Sequence, residues 1–452
     1  MHNWDTETDL FAHSVIGYAI ERLRMPKDKR WGALPADELR SAIEHAITVD
    51  GSGALEALHL FRDVLMPACR PMDDPMNLAY VPTSPSIAST MFDLVVSASS
   101  IFGGNWEAGA GAIAAENQAL RWLADLAGFP KGAGGVFVSG GSAANLSALV
   151  TAREGYRQRH GHSDRLMIAA TDEVHASVRA AAKVMDVDVL PVPTDDCGRL
   201  TAAALRAALA GNAGGNVFAI VATGGTTNAG AIDELDGIAD VCAEHGLWMH
   251  VDGAYGLAAL CSNIARERFR GIERADSFGV DPHKWLFAPY DCAALVYRDP
   301  TLAASTHAQH GAYLDAVNRG EWNPSDYAYH LSRRARGLPL WFGLVTYGTS
   351  AYTQAVDSAI TTARAFADEV AARPGFTLLT PPQLSVVLFS ADGWTREQYL
   401  EWSHLRARQG RWLVLPTTWQ GEPCLRVCLV HPATTVEALI GMLDDLASYQ
   451  VE

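Results

Sequence analysis

The sequence predicts an α/β fold, with a large domain built on a mostly parallel mixed sheet and a smaller α+β domain after it. From about residue 86, apolar runs such as "VFAIVATGG" alternate with segments of helical periodicity such as "ELDGIADVCAEHG". This alternation is typical of βα units whose sheet is covered by helices on both faces. It stops after about residue 335, where a long helical stretch precedes further apolar runs and a last helix. The sequence therefore predicts a large domain over 86–338 and a C-terminal α+β domain over 339–452.

A third segment, residues 1–85, precedes the large domain. Within it, "ADELRSAIEHA" and "GALEALHLFRDVL" have the spacing of apolar residues that predicts two amphipathic helices. The proline-rich stretch "MPACRPMDDPMNLAYVPTSPS" then links these helices to the rest of the chain. We therefore expect residues 1–85 to form an N-terminal helical segment.

Composition and charge exclude several classes of function. The chain has 452 residues, of which 49% are apolar, and a net charge of −16. An acidic surface repels phosphate backbones, so we expect neither nucleic acid nor a membrane as a partner. No apolar run is long enough to span a bilayer, and "MHNWDTETDL" is not typical of a signal peptide. The seven cysteines form no CxxC pair, so we expect a cytoplasmic protein without a metal site.

Polar residues follow several of the predicted strands at the point where each strand ends. Lys284 comes directly after the run "DSFGV", and Asp252 closes the run "LWMHVD". The glycine-rich turns "SGGSAAN" and "TGGTT" follow two further strands. Ligands of open α/β sheets bind at the carboxyl ends of the strands. We therefore expect these residues to converge on one pocket.

A lysine at such an edge suggests a covalent cofactor. Burial disfavours its ammonium form, and a neutral amine can attack an aldehyde, of which pyridoxal phosphate is the obvious one. That cofactor needs backbone amides for its phosphate, which the turn at Ser142 offers, and a carboxylate for its ring nitrogen, which Asp252 offers. It also needs a flat partner for its ring, and His175 follows another strand.

Each of these features alone has an ordinary structural explanation. Ser142 could be a helix N-cap, Asp252 a turn cap, His175 a satisfied structural histidine and "GGTT" a plain turn. Their order along the chain, each after its own strand, favours one site over separate coincidences. The run "GAGAIAA" lacks a preceding strand and a third glycine, so it does not indicate a dinucleotide-binding turn.

The segments "HVDGAYG", "DSFGVDPHKW" and "APYDCAALVYRD" closely resemble those of the group II pyridoxal-phosphate-dependent amino-acid decarboxylases. The resemblance runs from about "DPMNLAYVPT" to the C-terminus. It implies the fold-type I architecture of the pyridoxal-phosphate-dependent transferases and a homodimer with its active sites at the interface. It also implies that the reaction is the decarboxylation of an L-amino acid to an amine and carbon dioxide.

The resemblance also implies roles for individual residues. Lys284 holds the cofactor covalently, Asp252 pairs with its ring nitrogen, and His175 stacks on its ring and orients the substrate carboxylate. The other residues expected at the cofactor are Ser142 and Ala143 at the phosphate with Asp281 and His283 nearby, Ala254 against the ring and Thr227 beside it.

A mobile catalytic loop is also implied. "NPSDYAYHLSRRARGLPLW" resembles the segment that ends this loop in the family, where a "DY" pair precedes an "RR…LxxW" run. The match assigns Tyr327 as the loop tyrosine that returns a proton to the α carbon, with Tyr329 as the rival. Relatives that oxidise the substrate to an aldehyde tend to carry Phe there, so a tyrosine favours plain decarboxylation.

The identity of the substrate follows from the resemblance at four positions. Tyr80 and Pro82 line the side-chain pocket, while Phe102 and Gly104 reach in from the partner protomer. Gly104 stands where aromatic-amino-acid decarboxylases often have an aromatic residue, which would enlarge the pocket. We expect an aromatic substrate such as tryptophan, tyrosine or phenylalanine. An aliphatic or acidic substrate stays open, as do aminotransfer, a lyase reaction and decarboxylation-coupled aldehyde synthesis.

Overall fold

The computed structural model describes residues 4–24, 32–161, 165–211, 215–309 and 320–449. The strands are β1 Gly134–Val138, β2 Met167–Thr171, β3 Asp188–Val192, β4 Val217–Thr223, β5 Trp248–Asp252, β6 Ser277–Val280, β7 Ala293–Tyr297, β8 Phe376–Thr380, β9 Val386–Ala391, β10 Leu415–Trp419 and β11 Glu422–Cys428. The helices are α1 Thr6–Arg24, α2 Ala36–Ile43, α3 Ala54–Leu60, α4 Ile87–Ala98, α5 Trp106–Leu126, α6 Gly141–His160, α7 Ala176–Met185, α8 Ala202–Leu209, α9 Leu235–His245, α10 Pro282–Trp285, α11 Thr301–His307, α12 Leu338–Tyr347, α13 Thr349–Ala372, α14 Arg396–Arg408 and α15 Val436–Ser448.

A seven-stranded sheet forms the centre of the large domain, in the order β1-β7-β6-β5-β4-β2-β3. The pairs β2–β3, β2–β4, β4–β5 and β5–β6 are parallel, whereas β7 is antiparallel to both of its neighbours. Because β7 alone is reversed, β1 runs in the same direction as β6. The carboxyl ends of β1, β2, β4, β5 and β6 therefore share one edge, and the mostly parallel mixed sheet is confirmed.

Both faces of this sheet are buried by helices. Along β4, Ala219 and Val221 pack in one hydrophobic cluster, and Ile220 and Ala222 pack in another. The first cluster includes residues of α6 and α7, and the second includes residues of α5, α8 and α9. Alternate side chains of a strand point to opposite faces, so a strand buried on both sides is apolar throughout. This explains the unbroken apolar run in β4.

The smaller sheet lies in the C-terminal part of the chain, with the antiparallel order β10-β11-β9-β8. Its residues Val387 and Phe389 pack in one cluster with residues of α13, α14 and α15. Leu78 belongs to that cluster, and its backbone N–H donates to the Leu413 carbonyl at 3.0 Å. The proline-rich segment thus crosses from the N-terminal helices to the smaller sheet.

The N-terminal helices α1, α2 and α3 contain no buried residue. Helices α2 and α3 confirm that the two segments predicted between 36 and 66 are helical. None of the helices in the described part of the chain is both long and apolar enough to cross a membrane.

Candidate active site

The shared edge of the large sheet collects most of the residues that the sequence analysis assigns to the site. Asp252 is the last residue of β5, Asp281 follows β6, and α6 begins directly after the two-residue turn that follows β1. A Cβ atom placed on Gly141 would lie 3.0 Å from the Cβ of Ala254 and 3.3 Å from both carboxylate oxygens of Asp281. The glycine turn, the end of β5 and the end of β6 are therefore in direct contact.

Lys284 is held at this edge by the one-turn helix α10. Its neighbour Trp285 is fully buried and stacks on Tyr255, with 5.3 Å between ring centroids. That contact anchors the turn, and the Lys284 side chain, 21% exposed, lies with its Nζ 3.0 Å from Asp281 Oδ2.

The charge of Lys284 differs from the expectation that burial makes it neutral. Burial lowers the pKa of Lys284, but the carboxylates of Asp281 and Asp252 raise it, and the net pKa lies above its ordinary value. The expectation of a neutral amine is therefore wrong for the protein without its cofactor, because Asp281 pairs with the ammonium group. The charge of Asp252 also raises the pKa of Lys284.

Asp252 is 5% exposed and oriented by two donors. Its Oδ2 accepts from Asn145 Nδ2 at 2.8 Å, and its Oδ1 accepts from the Ala254 backbone N–H at 3.1 Å. A buried carboxylate is costly unless it is hydrogen-bonded, and here both oxygens are. Its orientation is therefore fixed while lone pairs remain for a cationic ring nitrogen.

The N-terminus of α6 offers a place for a phosphate. Its N-cap, Gly140, provides no side-chain hydrogen bond, and Ser142 in the first turn is exposed. The next residue, Ala143, is half-buried, and its N–H donates to the Gly140 carbonyl at 2.9 Å. The first amides of a helix attract anions when no side chain caps them.

A second, independent observation, at Asp281, also indicates that the residues present fit pyridoxal phosphate. Asp281 is 2% exposed, and among the described residues its Oδ1 has no hydrogen-bond partner. His283 is buried with its Nε2 3.6 Å from Asp281 Oδ2, and its Nδ1 donates to the Cys292 carbonyl at 2.7 Å. A buried carboxylate oxygen without a donor calls for a bound group. The site thus has an amine, a helix N-terminus and a ring-nitrogen partner for this cofactor.

A cavity of about 400 Å³ lies beside this cluster. His175, the N-cap of α7, lines it together with Tyr80, Thr227, Asn228 and Arg426. Lys284 and Asp252 are not among its lining residues. Asp252 is linked to the cavity by hydrogen bonds that run through Asn145 and Ser177 to His175.

Three charged residues that line the cavity, Arg426, Glu173 and Asp172, were not predicted from the sequence. Arg426 of β11 is 7% exposed, and its Nε donates to the Thr227 carbonyl at 2.7 Å. Its Nη2 is buried and has no hydrogen-bond partner in the described part of the chain. Glu173 also lines the cavity, and burial raises its pKa. The signal for Arg426 in the sequence was that a single arginine interrupts the apolar run "PCLRVCLV".

Tyr327 does not reach this cavity. Its side chain is 9% exposed and stacks on Trp322 with 3.9 Å between ring centroids, within a cluster that includes residues of β1, β7 and α6. Its backbone carbonyl accepts from the Tyr297 hydroxyl at 3.1 Å. The Tyr327 ring is therefore packed in the core of its own chain, and its assignment as the loop tyrosine stays a prediction. The rival, Tyr329, is 83% exposed and also lies outside the cavity lining.

The four expected substrate residues are divided. Tyr80 lines the cavity, whereas Pro82 is buried and does not line it. Phe102 and Gly104 are not among the residues that line the cavity of their own chain. A Cβ atom on Gly104 would lie 2.6 Å from the ring of Phe102. The Phe102 ring therefore occupies the space beside Gly104 within one chain, and the enlargement of the partner's pocket at Gly104 stays a prediction.

The fold and this site define a class of enzyme that binds an aldehyde cofactor through a lysine at the edge of an α/β sheet. The family model of the pyridoxal-dependent decarboxylase conserved domain matches residues 37–392. The chain belongs to this family and is a pyridoxal-phosphate-dependent amino-acid decarboxylase. The predicted family, cofactor and enzyme class are thereby confirmed.

Relatives of this family act on different amino acids. The chain is 30% identical to an aromatic-L-amino-acid decarboxylase of Bacillus atrophaeus, over 95% of this chain and 93% of that protein. It is 27% identical to an L-2,4-diaminobutyrate decarboxylase of Acinetobacter baumannii, over 83% of this chain and 79% of that protein. A crystal structure of Oryza sativa TDC with PLP and tryptamine superposes with a TM-score of 0.91 at 24% identity, covering 99% of this chain and 98% of that one. That last likeness establishes the fold.

Proposed function

We propose that the enzyme converts an aromatic L-amino acid into the corresponding amine and carbon dioxide. The observation that carries the proposal is the convergence of Lys284, Asp252 and the glycine turn at one sheet edge, connected by hydrogen bonds to His175 in the adjacent cavity. The relative in Bacillus atrophaeus, named for aromatic substrates, supports the choice of substrate.

Each proposed role uses a group in the position described above. Lys284 would be the covalent attachment point, Asp252 would keep a proton on the ring nitrogen, and the turn at Ser142 and Ala143 would receive the phosphate, with the Ala143 N–H shared with the Gly140 carbonyl. Pyridoxal phosphate, when bound, supplies the electron sink for the bond that breaks. With the cofactor bound, His175 would pack on one face of the ring, and Ala254 and Thr227 would lie close to it.

Arg426 is our candidate for the substrate's α-carboxylate. Arg426 lines the same cavity as His175, and its buried Nη2 has no hydrogen-bond partner in the described part of the chain. A guanidinium with an unused donor matches a carboxylate oxygen and gains a charge-assisted hydrogen bond. Fixing the carboxylate selects which bond of the α carbon is broken, so this contact favours decarboxylation over transamination.

A second candidate substrate is an amino acid with a basic side chain. The cavity lining contains two carboxylates, Asp172 and Glu173, against the single guanidinium of Arg426. This balance attracts a cationic side chain and disfavours an acidic one, and a diaminobutyrate decarboxylase is among the relatives. The two candidates differ in whether Glu173→Gln impairs the reaction, since only a cationic substrate needs that charge.

We further propose a homodimer whose active sites lie at the interface, in the cytoplasm. Phe102 and Gly104 are not among the residues that line the cavity of their own chain, and α1 presents exposed Leu10 and Ile16 without a buried residue. All seven cysteines are free, as a reducing compartment favours. Mixing a Lys284→Ala chain with a Phe102→Ala chain should restore activity if both residues serve one site from different protomers.

Product analysis tests the proposed reaction. Enzyme loaded with pyridoxal phosphate is incubated with each of the common amino acids, and amines, aldehydes and keto acids are separated by mass. We expect an amine and carbon dioxide in equal amounts, with an aromatic substrate reacting fastest. Keto acid alone, or aldehyde with ammonia, would show that the enzyme catalyses a different reaction of the same cofactor.

A further inference from the structure

A buried chain of hydrogen bonds connects Asp252 with His175. Asn145, on α6, donates from Nδ2 to Asp252 Oδ2 at 2.8 Å and to Ser177 Oγ at 2.9 Å. Ser177 Oγ lies 2.8 Å from His175 Nδ1. Asn145 is 1% exposed and Ser177 is 7% exposed, so water does not compete for these contacts. One amide therefore contacts both the carboxylate at the end of β5 and the hydroxyl that holds the imidazole.

The chain of hydrogen bonds continues from Asn145 to His250 and Ser277 in the sheet. His250 Nε2 lies 3.0 Å from Asn145 Oδ1, and His250 Nδ1 lies 2.8 Å from Ser277 Oγ. Ser277 Oγ in turn accepts from Trp248 Nε1 at 2.9 Å. Burial lowers the pKa of His250 to about 4, so its ring is neutral at physiological pH and has one donor and one acceptor.

Asp252 at one end of this chain of hydrogen bonds and Trp248 at the other determine which atoms donate and which accept. An ionised Asp252 only accepts, so Asn145 turns its amide nitrogen toward Asp252 and its oxygen toward His250. His250 then donates from Nε2 and accepts at Nδ1 from the hydroxyl of Ser277. That hydroxyl is free to donate because its oxygen already accepts the indole N–H of Trp248. Each donor meets one acceptor, which leaves a single arrangement of the protons.

The same direction fixes the tautomer of His175. Ser177 Oγ accepts from Asn145, so its only hydrogen goes to His175 Nδ1. The backbone N–H of Ser177 donates to the same Nδ1 at 3.2 Å. With two donors aimed at it, Nδ1 is an acceptor, and the neutral ring of His175 carries its hydrogen on Nε2. A hydrogen on Nδ1 would instead point at the Ser177 hydroxyl and the Ser177 backbone N–H, which are both donors, and neither hydrogen bond could form.

We propose that Asn145 is a positioning residue that couples the carboxylate at the cofactor's ring nitrogen to the imidazole on the ring's face. Through Ser177 it holds His175 as the Nε2–H tautomer, and its own orientation is set by His250 and Ser277. This inference rests on the roles proposed above for Asp252 and His175. Its functional consequence is that one buried amide orients both groups together, so losing it disturbs both.

The test compares variants that interrupt this chain of hydrogen bonds with variants that leave it intact. Asn145→Leu removes the amide at similar volume, and Ser177→Ala removes only the branch to His175. Ser177→Thr keeps a hydroxyl and should restore the wild-type properties. Thr151→Val is the matched control: it lies on the same helix, is fully buried, and loses its own hydrogen bonds to Ser147 and His307.

The first measurement is nitrogen-15 NMR of histidine-labelled protein at one fixed pH, with His175 assigned by its loss in His175→Gln. We expect the wild type and Thr151→Val to show the Nε2–H form, and Asn145→Leu and Ser177→Ala to show a mixture of tautomers. This readout needs no substrate, so it stands apart from the proposed reaction. An Nδ1–H signal in the wild type, or an unchanged signal in Asn145→Leu, would overturn the proposal.

The second measurement separates kcat from KM in the holoenzyme. We expect kcat of Asn145→Leu to fall by about 10- to 100-fold, the range typical of outer-shell partners of metal-binding histidines, and its cofactor to dissociate more readily in equilibrium dialysis. Ser177→Ala should keep its cofactor and lose kcat alone. Equal losses in Thr151→Val would show a general packing effect and reject the positioning role. An inactive wild type that keeps the Nε2–H tautomer would reject the proposed reaction instead.

Discussion

The buried ion pair between Glu116 and Arg333 leads to a quantitative prediction about stability. Glu116, on α5, accepts from Arg333 Nη1 at 2.8 Å and from Nη2 at 2.7 Å, and also from the Gly337 backbone N–H at 2.8 Å. Arg333 Nη1 donates in addition to the Gly103 carbonyl at 2.7 Å. Their side chains are 2% and 0% exposed. The pair thus joins α5, the segment around Gly103 and the start of α12 away from water.

Glu116→Gln keeps the shape of the side chain and removes its charge. The guanidinium of Arg333 then stays buried without a counter-charge, which costs about 3–5 kcal/mol of unfolding free energy. Replacing both partners, as Glu116→Leu with Arg333→Met, should recover much of that loss because no charge remains buried. The assay is urea denaturation followed by intrinsic fluorescence, with the wild type measured alongside.

Glu244→Gln is the matched control. Glu244 pairs with Arg206 through two hydrogen bonds of 2.7 and 3.2 Å, but both side chains are about half exposed. Exposed pairs contribute little, so its denaturation midpoint should match that of the wild type. The reasoning is refuted if Glu116→Gln loses no more stability than Glu244→Gln, since burial is the main difference between the two pairs.

Three further predictions concern the site. Asp281→Asn removes the partner that raises the pKa of Lys284. The rate at which the cofactor-free protein captures pyridoxal phosphate should therefore reach its half-maximum at lower pH. An unchanged pH profile of that rate would reject the ion pair. Arg426→Met removes the side chain proposed to bind the substrate's α-carboxylate. KM should rise roughly 10- to 100-fold, which corresponds to the loss of one charge-assisted hydrogen bond. An unchanged KM would contradict this role. Tyr327→Phe should keep amine production if its ring stays fixed on Trp322, and a loss of amine production in this variant would support Tyr327 as the proton donor.

The large sheet was predictable because its signals are local. Each strand is an apolar run followed by a glycine or a polar residue, and the edge shared by Asp252 and Lys284 follows from the parallel direction of the strands. Even the ion pair between Lys284 and Asp281 has helical i, i+3 spacing within "DPHK". These features depend on neighbours in sequence and on one rule of sheet topology.

The features that the sequence does not show arise where distant segments meet. The "DY" motif located Tyr327 in the chain, but nothing near it in sequence shows that its ring packs against β1 and β7. Gly104 indicated open space, yet the Phe102 ring fills it through a turn of the backbone. Arg426 lies in the smaller sheet and contacts the carbonyl of Thr227, about 200 residues earlier in the chain. Side-chain packing across such separations is set by tertiary structure and leaves no local pattern.

The central claim is that the amine of Lys284 forms the covalent bond to pyridoxal phosphate, with Asp252 at the ring nitrogen. Borohydride reduction of the holoenzyme followed by peptide mapping tests it most directly. We expect the pyridoxyl label on the peptide containing Lys284, and no label when Lys284→Ala protein is treated in the same way. A label on another lysine, or equal labelling of the two proteins, would contradict the account.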